Sequence, residues 1–448
     1  MTHVHFIGIG GSGLSAIARL LQESGTTVTG SDREHSPFVD DLREIGITAY
    51  IGHAAERITG ADLVVRSSAI PDHNVEVVAA RAAGIPVYKR SDYLGSLMED
   101  KIGIAIAGTH GKTSTTAMMA WTLTELGEDP SFIVGGVIDG MNVNARAGKG
   151  ETFVIEADEY DRMFLGLKPT IGIVTNLEHD HPDIYPTAES FREAFVNFVS
   201  LLPENGVLIA CGDDAGAADL VKDANVKTIL YGLSESNAQS NSRGGFDFEF
   251  QSAKVSLQVP GMHNVLNALA VMSVIAYLGL SLKDAADALG RFAGTGRRFE
   301  LLGEINGISV YDDYAHHPTE IRATLAAARA RHPESRIWVV WQPHTYSRTQ
   351  LLFEEFAQAF GDADQVIVVE VYKSREPEQD FSSALVVEAM QHPSAKFIAG
   401  LKETSHYLIS KLKSNDILLV LSAGDANEIN QDVLKALNVL ANQERKRR

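Results

Sequence analysis

The chain is short of cysteine, of basic residues and of long apolar runs. Cys211 is the single cysteine among 448 residues, which excludes an intrachain disulfide and indicates a reducing compartment. No apolar run approaches the roughly 20 residues that a membrane helix requires. Lysine and arginine total 39 against 58 acidic residues, and the net charge of −19 argues against nucleic-acid binding. The first residues carry no signal-peptide pattern. We therefore expect a cytoplasmic protein without a membrane or nucleic-acid partner, and we interpret the basic run at 445–448 as a solvated chain end.

Strands alternate with amphipathic helices along the whole chain, which predicts an α/β protein with parallel sheets. The length favours two to four domains. We divide the chain into three blocks, at residues 1–97, 98–296 and 297–448, and interpret the polar segment Ser234–Gly245 as a loop or hairpin turn. The strands expected to carry site residues are Val4–Gly8, Thr27–Gly30, Phe153–Glu156, Ile171–Thr175, Ile308–Tyr311 and Arg336–Trp341.

The most informative motif is a short glycine loop in the second block. It follows an apolar strand at 102–106 and precedes a helical pattern at Thr116–Leu126, which is the geometry that cradles a nucleoside triphosphate. Lys112 can reach the terminal phosphate oxygens, and the Thr113 hydroxyl can bind magnesium. The usual P-loop has a glycine where Ile106 stands, so an ATP site of a shorter subtype is predicted. Its residues are Gly108, Thr109, His110, Gly111, Lys112, Thr113 and Ser114.

A second glycine loop opens the first block. Gly8, Gly10 and Gly13 fit the dinucleotide fingerprint, and Asp32 lies about 20 residues further on, where a ribose-binding carboxylate is expected. The loop could bind NAD, or it could hold the diphosphate of another nucleotide such as a UDP-sugar. A tight strand-to-helix turn without a ligand is the third interpretation.

Two acidic clusters follow strands of the second block, where open α/β sheets bind their ligands. Glu156 is predicted to bind magnesium, whereas some of the other acids in 158–161 are interpreted as solvated loop charges. His181 lies among acids at 178–183, and this cluster favours a second metal or the positioning of a substrate over a structural role.

Two further features lie near the junction with the third block. His263 and Asn264 open a helix and could hydrogen-bond adenine or phosphate, or simply cap that helix. Arg298 could swing in to stabilise phosphoryl charge, and a linker salt bridge is the alternative for the Arg297–Arg298 pair.

Together these motifs resemble those of the Mur ligase family, the ATP-dependent amide-forming enzymes of peptidoglycan precursor synthesis. The resemblance covers essentially the whole chain, and it is to the branch that adds L-alanine to UDP-N-acetylmuramate. It implies a Rossmann-like UDP-binding domain, a central P-loop-type ATPase domain and a C-terminal Rossmann-like domain, with roles in cell wall biogenesis, cell shape and cell division. The motifs that carry it are Gly8–Gly13, Ser67–Pro71, Gly108–Thr113, Glu156–Glu159, Asp312–Glu320 and Gln342–Thr349.

The resemblance also implies roles for individual residues. Lys112, Glu156, His181 and Arg298 would be catalytic. Thr113 and Glu156 would bind one magnesium ion, with manganese as an alternative, and His181 a second. Asn264 would meet adenine with His263 and Asn267 close by, and Asp313 would serve the nucleotide together with Arg298. The substrate-binding residues would be Gly10, Gly11, Ser12, Asp32, His53, Ser67, His317, Tyr346 and Arg348, of which Tyr346 and Arg348 would shape the amino-acid pocket.

Some family members use a carbamylated lysine on the helix that follows the His181 motif. The helix predicted at 189–202 has no lysine, and the alanine-adding branch also lacks it. The chain departs from that branch at Thr345, where arginine is common, at Tyr372–Glu376 and at Ser422–Ala426. All three departures lie in the block expected to present the amino acid.

Three other functions are compatible with parts of the sequence. A recycling ligase that attaches a preformed tripeptide to UDP-N-acetylmuramate shares the architecture but is expected to differ at 8–13 and 67–71. An NAD-dependent oxidoreductase would use the first glycine loop and leave the Lys112 loop unexplained. A non-catalytic nucleotide sensor would have no need of the phosphate and metal residues. The sequence leaves the choice between monomer and homodimer open.

Overall fold

The computed structural model describes residues 2–447, with side chains as far as residue 443, so the basic tail lies outside the described side chains. Four β-sheets follow one another along this range, with five, seven, three and six strands. No helix that these residues form is long and apolar enough to cross a membrane.

The first sheet has the strand order β3-β2-β1-β4-β5 and is parallel throughout. Its order reverses at β1, so the loop after β1 opens at the switch point where α/β sheets bind ligands. Short 3₁₀ helices lie at Ala55–Ile58 and Gly95–Met98. The elements are β1 (His3–Ile7), α1 (Ser12–Glu23), β2 (Thr27–Asp32), α2 (Pro37–Glu44), β3 (Thr48–Ile51), β4 (Leu63–Arg66), α3 (Val75–Ala82), β5 (Val87–Lys89) and α4 (Arg90–Leu94).

The second sheet has the order β12-β11-β10-β6-β9-β7-β8 and is parallel except for the antiparallel pair β7–β8. A small antiparallel sheet of β13, β14 and β15 follows it. Three 3₁₀ helices lie at Tyr160–Gly166, Leu220–Asp223 and Leu233–Glu235. The elements are β6 (Ile102–Ala107), α5 (Lys112–Glu125), β7 (Ser131–Ile138), β8 (Val143–Arg146), β9 (Thr152–Glu156), β10 (Ile171–Val174), α6 (Ala188–Val199), β11 (Val207–Cys211), α7 (Ala215–Asp219), β12 (Lys227–Tyr231), β13 (Gln239–Ser240), β14 (Phe246–Phe250), β15 (Ala253–Ser256), α8 (Met262–Tyr277) and α9 (Leu282–Leu289).

The last sheet has the order β16-β17-β21-β18-β19-β20, with β16 antiparallel to its neighbour β17. Helices cover both of its faces, and α15 ends the described chain. The elements are β16 (Glu300–Ile305), β17 (Ile308–Asp313), α10 (Pro318–Arg331), β18 (Arg336–Gln342), α11 (Tyr346–Leu351), α12 (Phe353–Ala357), β19 (Gln365–Val368), α13 (Ala384–Ala389), β20 (Ala395–Phe397), α14 (Leu401–Lys411), β21 (Asp416–Ser422) and α15 (Glu428–Arg447).

The apolar core is divided unequally among the sheets. One continuous cluster has members from Val4 to Phe292, so the first two large sheets share a core. The last sheet packs its own clusters on its two faces, between Tyr311 and Leu421 on one face and between Ile308 and Leu437 on the other. The C-terminal unit therefore meets the rest of the molecule through a surface outside its apolar core.

The α/β fold class is confirmed, and two details of the predicted elements are wrong. Helix α5 begins at Lys112 rather than at Thr116, because Gly111 adopts a left-handed conformation (φ +81°) that turns the chain directly into the helix. The sheets are not wholly parallel, since β8 and β16 run against their neighbours. The hairpin-turn interpretation of Ser234–Gly245 is confirmed, since strand β13 in this segment pairs antiparallel with β14 and the Asn241 N–H donates to the Gly245 carbonyl (3.0 Å) in the turn between them.

Candidate active site

The phosphate loop is held between the end of β10 and the start of α8. Gly108 (φ +136°) and Gly111 have backbone conformations that other residues rarely adopt. A Cβ at Gly111 would lie 2.7 Å from Asn267 Oδ1. Asn176 fixes the loop from the other side, because it accepts from the His110 N–H (2.7 Å) and donates to the His110 carbonyl (3.0 Å). The backbone therefore presents its amide groups in one fixed arrangement.

Lys112 points back over this loop. Its Nζ donates to the carbonyls of Gly108 (2.6 Å) and Thr109 (3.0 Å) and to Glu159 Oε1 (2.9 Å). Burial by itself would lower the pKa of Lys112, but Glu159, Asp158 and Glu156 raise it above its ordinary value. The ammonium is therefore charged and can grip phosphate oxygens.

Glu159 corrects the interpretation of the acids after β9. Asp161 is exposed, as expected for a solvated charge, but the Glu159 side chain is only 1% exposed. Burial would raise the pKa of Glu159, yet the charge of Lys112 and a hydrogen bond from His181 lower it. Glu159 is thus the buried counter-ion of Lys112. Its separation of 47 residues along the chain from Lys112 gives no local sequence signal.

Thr113 and Glu156 form the centre of the predicted metal site. Thr113 Oγ1 donates to Glu156 Oε1 (3.0 Å), and the Gly135 N–H donates to Glu156 Oε2 (2.7 Å). Glu159 does not add a free ligand here, because its Oε2 lies 2.9 Å from Lys112 Nζ. The Thr113 hydroxyl and the Glu156 carboxylate supply oxygen donors of the kind that magnesium prefers, so the residues fit a hard divalent cation.

His181 lies beside this group with its Nε2 3.5 Å from Glu159 Oε1, and it lines the same cavity as Glu156. Burial would lower the pKa of His181, but hydrogen bonding to Glu159 and the charge of Asp180 raise it. A metal ion at this position would compete with a proton for the ring nitrogen.

The cavity that contains these residues has a volume of about 910 Å³ and lies between the units built on the three large sheets. Ser12 lines it from the first glycine loop, Glu156 and His181 from the central sheet, and Arg348 from the C-terminal unit. Reactants delivered by three separate units can therefore meet beside Lys112.

A second cavity, of about 700 Å³, adjoins the loop between the central and C-terminal units. Asn264 donates to the Pro260 carbonyl (2.7 Å), and Asn267 donates to Asn264 Oδ1 (3.1 Å), so the amides are already oriented. Asp313 accepts from two backbone N–H groups at 2.7 Å, and burial raises its pKa to about 6. This cavity is lined by all five residues outside the phosphate loop that are predicted to bind the nucleotide: His263, Asn264, Asn267, Arg298 and Asp313.

The two arginines at the domain junction have different partners. Arg298 extends to the phosphate loop, with Nη2 3.4 Å from Thr113 Oγ1. Arg297 instead pairs with Asp312 (3.1 Å) and donates to the Ser422 carbonyl (2.7 Å). Arg298 therefore occupies the position expected for a phosphoryl contact, and Arg297 forms the linker salt bridge.

A buried ionic network joins the phosphate loop to α10. His110 contacts Glu178 Oε2 through Nε2 (2.9 Å) and Glu320 Oε1 through Nδ1 (3.1 Å). Burial opposes protonation, but the two carboxylates raise the pKa of His110 to about 9. Ligand atoms of His110, Glu178 and His317 lie within 4.8 Å of one another, yet a protonated His110 repels a cation. Glu178 and Glu320 are therefore ionic partners of the loop, and their roles were not predicted.

The first glycine loop is braced by the carboxylate that was expected to bind ribose. Asp32 Oδ2 accepts from the Gly10 N–H (2.8 Å), and Ser36 Oγ donates to the Gly10 carbonyl (3.0 Å). Gly8 has a left-handed backbone (φ +87°) and packs against Ser67. Gly11 is the N-cap of α1, so the loop leads directly into the helix N-terminus.

His53 belongs to a buried polar chain next to this loop. Its Nδ1 contacts Ser31 Oγ (2.9 Å), which donates to Glu76 Oε2 (2.5 Å). Both Ser31 and Glu76 are fully buried. The orientation of His53 is thus fixed by residues that the sequence pattern did not single out.

His317 and Tyr346, two of the predicted substrate residues, lie at the starts of helices α10 and α11. His317 accepts from the Thr319 N–H (3.3 Å) as the N-cap of α10, and Tyr346 extends to Glu378 (3.4 Å). Neither lines either cavity, whereas their neighbours His316 and Thr345 line the larger one. Their roles in substrate binding stay predictions, and adjacent side chains at a helix start point in different directions.

The fold and this geometry define a nucleotide-dependent enzyme whose site is assembled between α/β units. Family comparison makes the class specific. The model of the Mur ligase family catalytic domain matches residues 3–102, the Mur ligase middle domain matches 106–275, and the Mur ligase glutamate ligase domain matches 297–424. The chain belongs to the Mur ligase family.

Individual relatives are similar over nearly the whole chain. A UDP-N-acetylmuramate–L-alanine ligase of Renibacterium salmoninarum is 43% identical, covering 97% of this chain and 96% of the relative. The crystal structure of a UDP-N-acetylmuramate–alanine ligase from Thermotoga maritima is 30% identical, with a TM-score of 0.83 and coverage of 98% and 100%. A murein peptide ligase from Psychrobacter arcticus is 28% identical, with a TM-score of 0.70 and coverage of 98% and 99%.

Proposed function

We propose that this chain joins L-alanine to UDP-N-acetylmuramate in peptidoglycan precursor synthesis, and that ATP drives the reaction. The observation that carries the proposal is the position of Lys112. It lies on a phosphate loop that borders both cavities, so a nucleotide in one can meet a substrate in the other. Relatives with this named activity, similar along the full chain, support the choice of substrates.

We further propose domains at 1–97, 98–296 and 297–448. The first glycine loop would hold the diphosphate of UDP-N-acetylmuramate, with His53 near the uridine. The second cavity would take the adenosine of ATP, and the C-terminal unit would present L-alanine beside Arg348. We place the reaction in the cytoplasm, where it would serve cell wall growth and division.

A carboxylate and an amine do not condense unaided at neutral pH, so the carboxylate must first be activated. In the proposed reaction, the lactyl carboxylate of UDP-N-acetylmuramate attacks the γ-phosphorus of ATP, and ADP leaves. The alanine amine then attacks the acyl phosphate, loses a proton, and the tetrahedral intermediate collapses to the amide and phosphate. Lys112 and Arg298 would hold the transferred phosphoryl group, and domain closure would exclude water from the acyl phosphate.

Magnesium is the proposed metal, with manganese as an alternative. Thr113 and Glu156 would hold the first ion and His181 a second. When bound, the ions would neutralise charge on the phosphate oxygens.

Phosphate release from the purified protein tests the proposal. The assay contains ATP, magnesium and UDP-N-acetylmuramate, and it compares L-alanine, glycine, L-serine and the L-Ala-D-Glu-diaminopimelate tripeptide. We expect the highest kcat/KM with L-alanine and no release without UDP-N-acetylmuramate. Turnover with the tripeptide alone would instead identify a recycling ligase, and Thr345 and the segment 373–375 would then be examined first.

The oxidoreductase alternative leaves the buried Lys112–Glu159 pair without a role. It predicts NAD binding, which the same protein preparation can test by calorimetry. A nucleotide sensor would bind ATP without releasing phosphate when both other substrates are present.

A further inference from the structure

Arg90 is a partly buried cation without a partner. It is the first residue of α4, and its Nε is buried and forms no hydrogen bond within residues 2–447. No carboxylate of the described side chains lies within ion-pair distance of it, although other buried arginines such as Arg348 are paired. An unpaired guanidinium with a buried nitrogen is costly, and such groups in native proteins usually have a partner. An anion from outside the chain would supply the partner that this guanidinium lacks among the described side chains.

The guanidinium lies directly against the first glycine loop. A Cβ at Gly13 would collide with its Nη1 and Cζ atoms, so position 13 must be glycine for Arg90 to lie there. Gly13 is in the first turn of α1, a helix of 12 residues. The first N–H groups of a helix have no acceptor within the helix, and they favour negative charge. The arginine and these N–H groups therefore converge on the same small region.

The nearest carboxylates do not neutralise this charge. Burial lowers the pKa of Arg90, and the fields of Asp158 and Glu156 counteract this effect. Both carboxylates have other partners, because Asp158 accepts from the Tyr160 N–H (3.0 Å) and Glu156 is held by Thr113. The guanidinium donors thus stay available, and their planar arrangement matches two phosphate oxygens.

We propose that Arg90 binds the diphosphate of the sugar nucleotide, jointly with the first-turn N–H groups of α1. This inference rests on the proposed function, and it names a binding residue for the same site. Arg90 also connects that site to the central unit, since Gly166 of the 3₁₀ helix at Tyr160–Gly166 packs so closely on the Ser91 backbone that a Cβ would not fit. A diphosphate bound by Arg90 is therefore anchored to both the first and the second sheet.

Calorimetric binding of uridine and of UDP to the full-length protein tests the proposal. In the unaltered protein, UDP should bind more tightly than uridine. Arg90→Ala should weaken UDP binding by about 10- to 100-fold, as expected for loss of a charge-assisted contact, and leave uridine binding unchanged. The UDP affinity of Arg90→Lys should lie between those of the unaltered protein and Arg90→Ala. Lys89→Ala is the matched control, because it removes the same charge one residue away at an exposed position.

An unchanged ratio of UDP to uridine affinity in Arg90→Ala would overturn the proposal. A loss confined to UDP-N-acetylmuramate, with UDP unaffected, would also overturn it, because the guanidinium would then face the lactyl carboxylate. If Arg90→Ala does not fold, Arg90→Gln keeps most of the side chain without the charge and gives the same comparison. Absence of alanine-dependent phosphate release in the unaltered protein would refute the ligase function alone, since the UDP measurements do not depend on turnover.

Discussion

Arg348 and Asp180 form a doubly hydrogen-bonded ion pair, at 2.8 and 3.2 Å, in which both side chains are only 5% exposed. The pair joins α11 of the C-terminal unit to the segment after β10. Burial would raise the pKa of Asp180, but Arg348 holds it well below its ordinary value. Because the C-terminal unit has its own apolar core, polar contacts such as this pair and the His110–Glu320 contact connect it to the central unit.

Arg348→Ala should destabilise the protein by about 3–5 kcal/mol, because it leaves Asp180 buried and unpaired. Urea denaturation would measure the change. Lys373→Ala is the comparison, since its pair with Glu378 in the same unit is exposed and should contribute at most about 1 kcal/mol. Adding Asp180→Asn to Arg348→Ala should recover part of the loss. Equal effects of Arg348→Ala and Lys373→Ala would show that the interface does not depend on the buried pair.

Lys112→Ala should lower kcat by at least about 10²- to 10³-fold, because the phosphate loop loses the charge that faces the transferred group. The measurement is phosphate release with all three substrates. Lys168→Ala, which removes an exposed lysine of the same unit paired with Glu99, should leave kcat unchanged. Near-normal turnover of folded Lys112→Ala would refute the assignment of this loop.

Gly135→Ala should weaken metal binding, because the new Cβ would lie 2.5 Å from one Glu156 oxygen and 2.9 Å from the other. Glu156 must then move away from Thr113. We expect a rise of about tenfold or more in the magnesium concentration for half-maximal rate, as seen when supporting contacts of metal ligands are lost. Gly136→Ala is the matched control, since its nearest contacts would be 3.4 Å. Identical magnesium curves for the two variants would argue against Glu156 as a ligand.

The His110 network should make stability fall on the alkaline side. The pKa of His110 in the folded state is about 9, above the ordinary 6.5. Protonated His110 therefore contributes fully to the free energy of unfolding below pH 6.5, and this contribution is lost as the pH rises through 9. The loss should be of the order of 1–3 kcal/mol. Thermal unfolding at several pH values would measure it, and His110→Gln should remove this pH dependence. If His110→Gln loses as much stability at alkaline pH as the unaltered protein, the effect belongs to another titratable group.

Local patterns were sufficient to predict the alternation of strands and helices and the phosphate loop. Apolar runs identify strands such as the one predicted at Phe153–Glu156, which the structure has at Thr152–Glu156, because period and turn residues are encoded locally. The start of α5 was missed, since a glycine in a left-handed conformation can turn the chain into a helix earlier than apolar periodicity indicates.

The partners of the site residues could not be read from the sequence. Glu159 pairs with Lys112, and Glu320 meets His110 from 210 residues away, because sheet order and domain docking bring distant segments together. The directions of His317 and Tyr346 could not be read from the sequence either, since the direction of a side chain at a helix start depends on the backbone geometry.

The sequence by itself determined the α/β class, the family and the residue types that handle phosphate, because these are written in short contiguous motifs. The tertiary structure decided which charges are neutralised and which stay available. Arg348 is paired by Asp180, whereas Arg90 has no ionic partner among the described side chains. That difference arises because burial and the positions of counter-ions are properties of packed surfaces, which no local segment specifies.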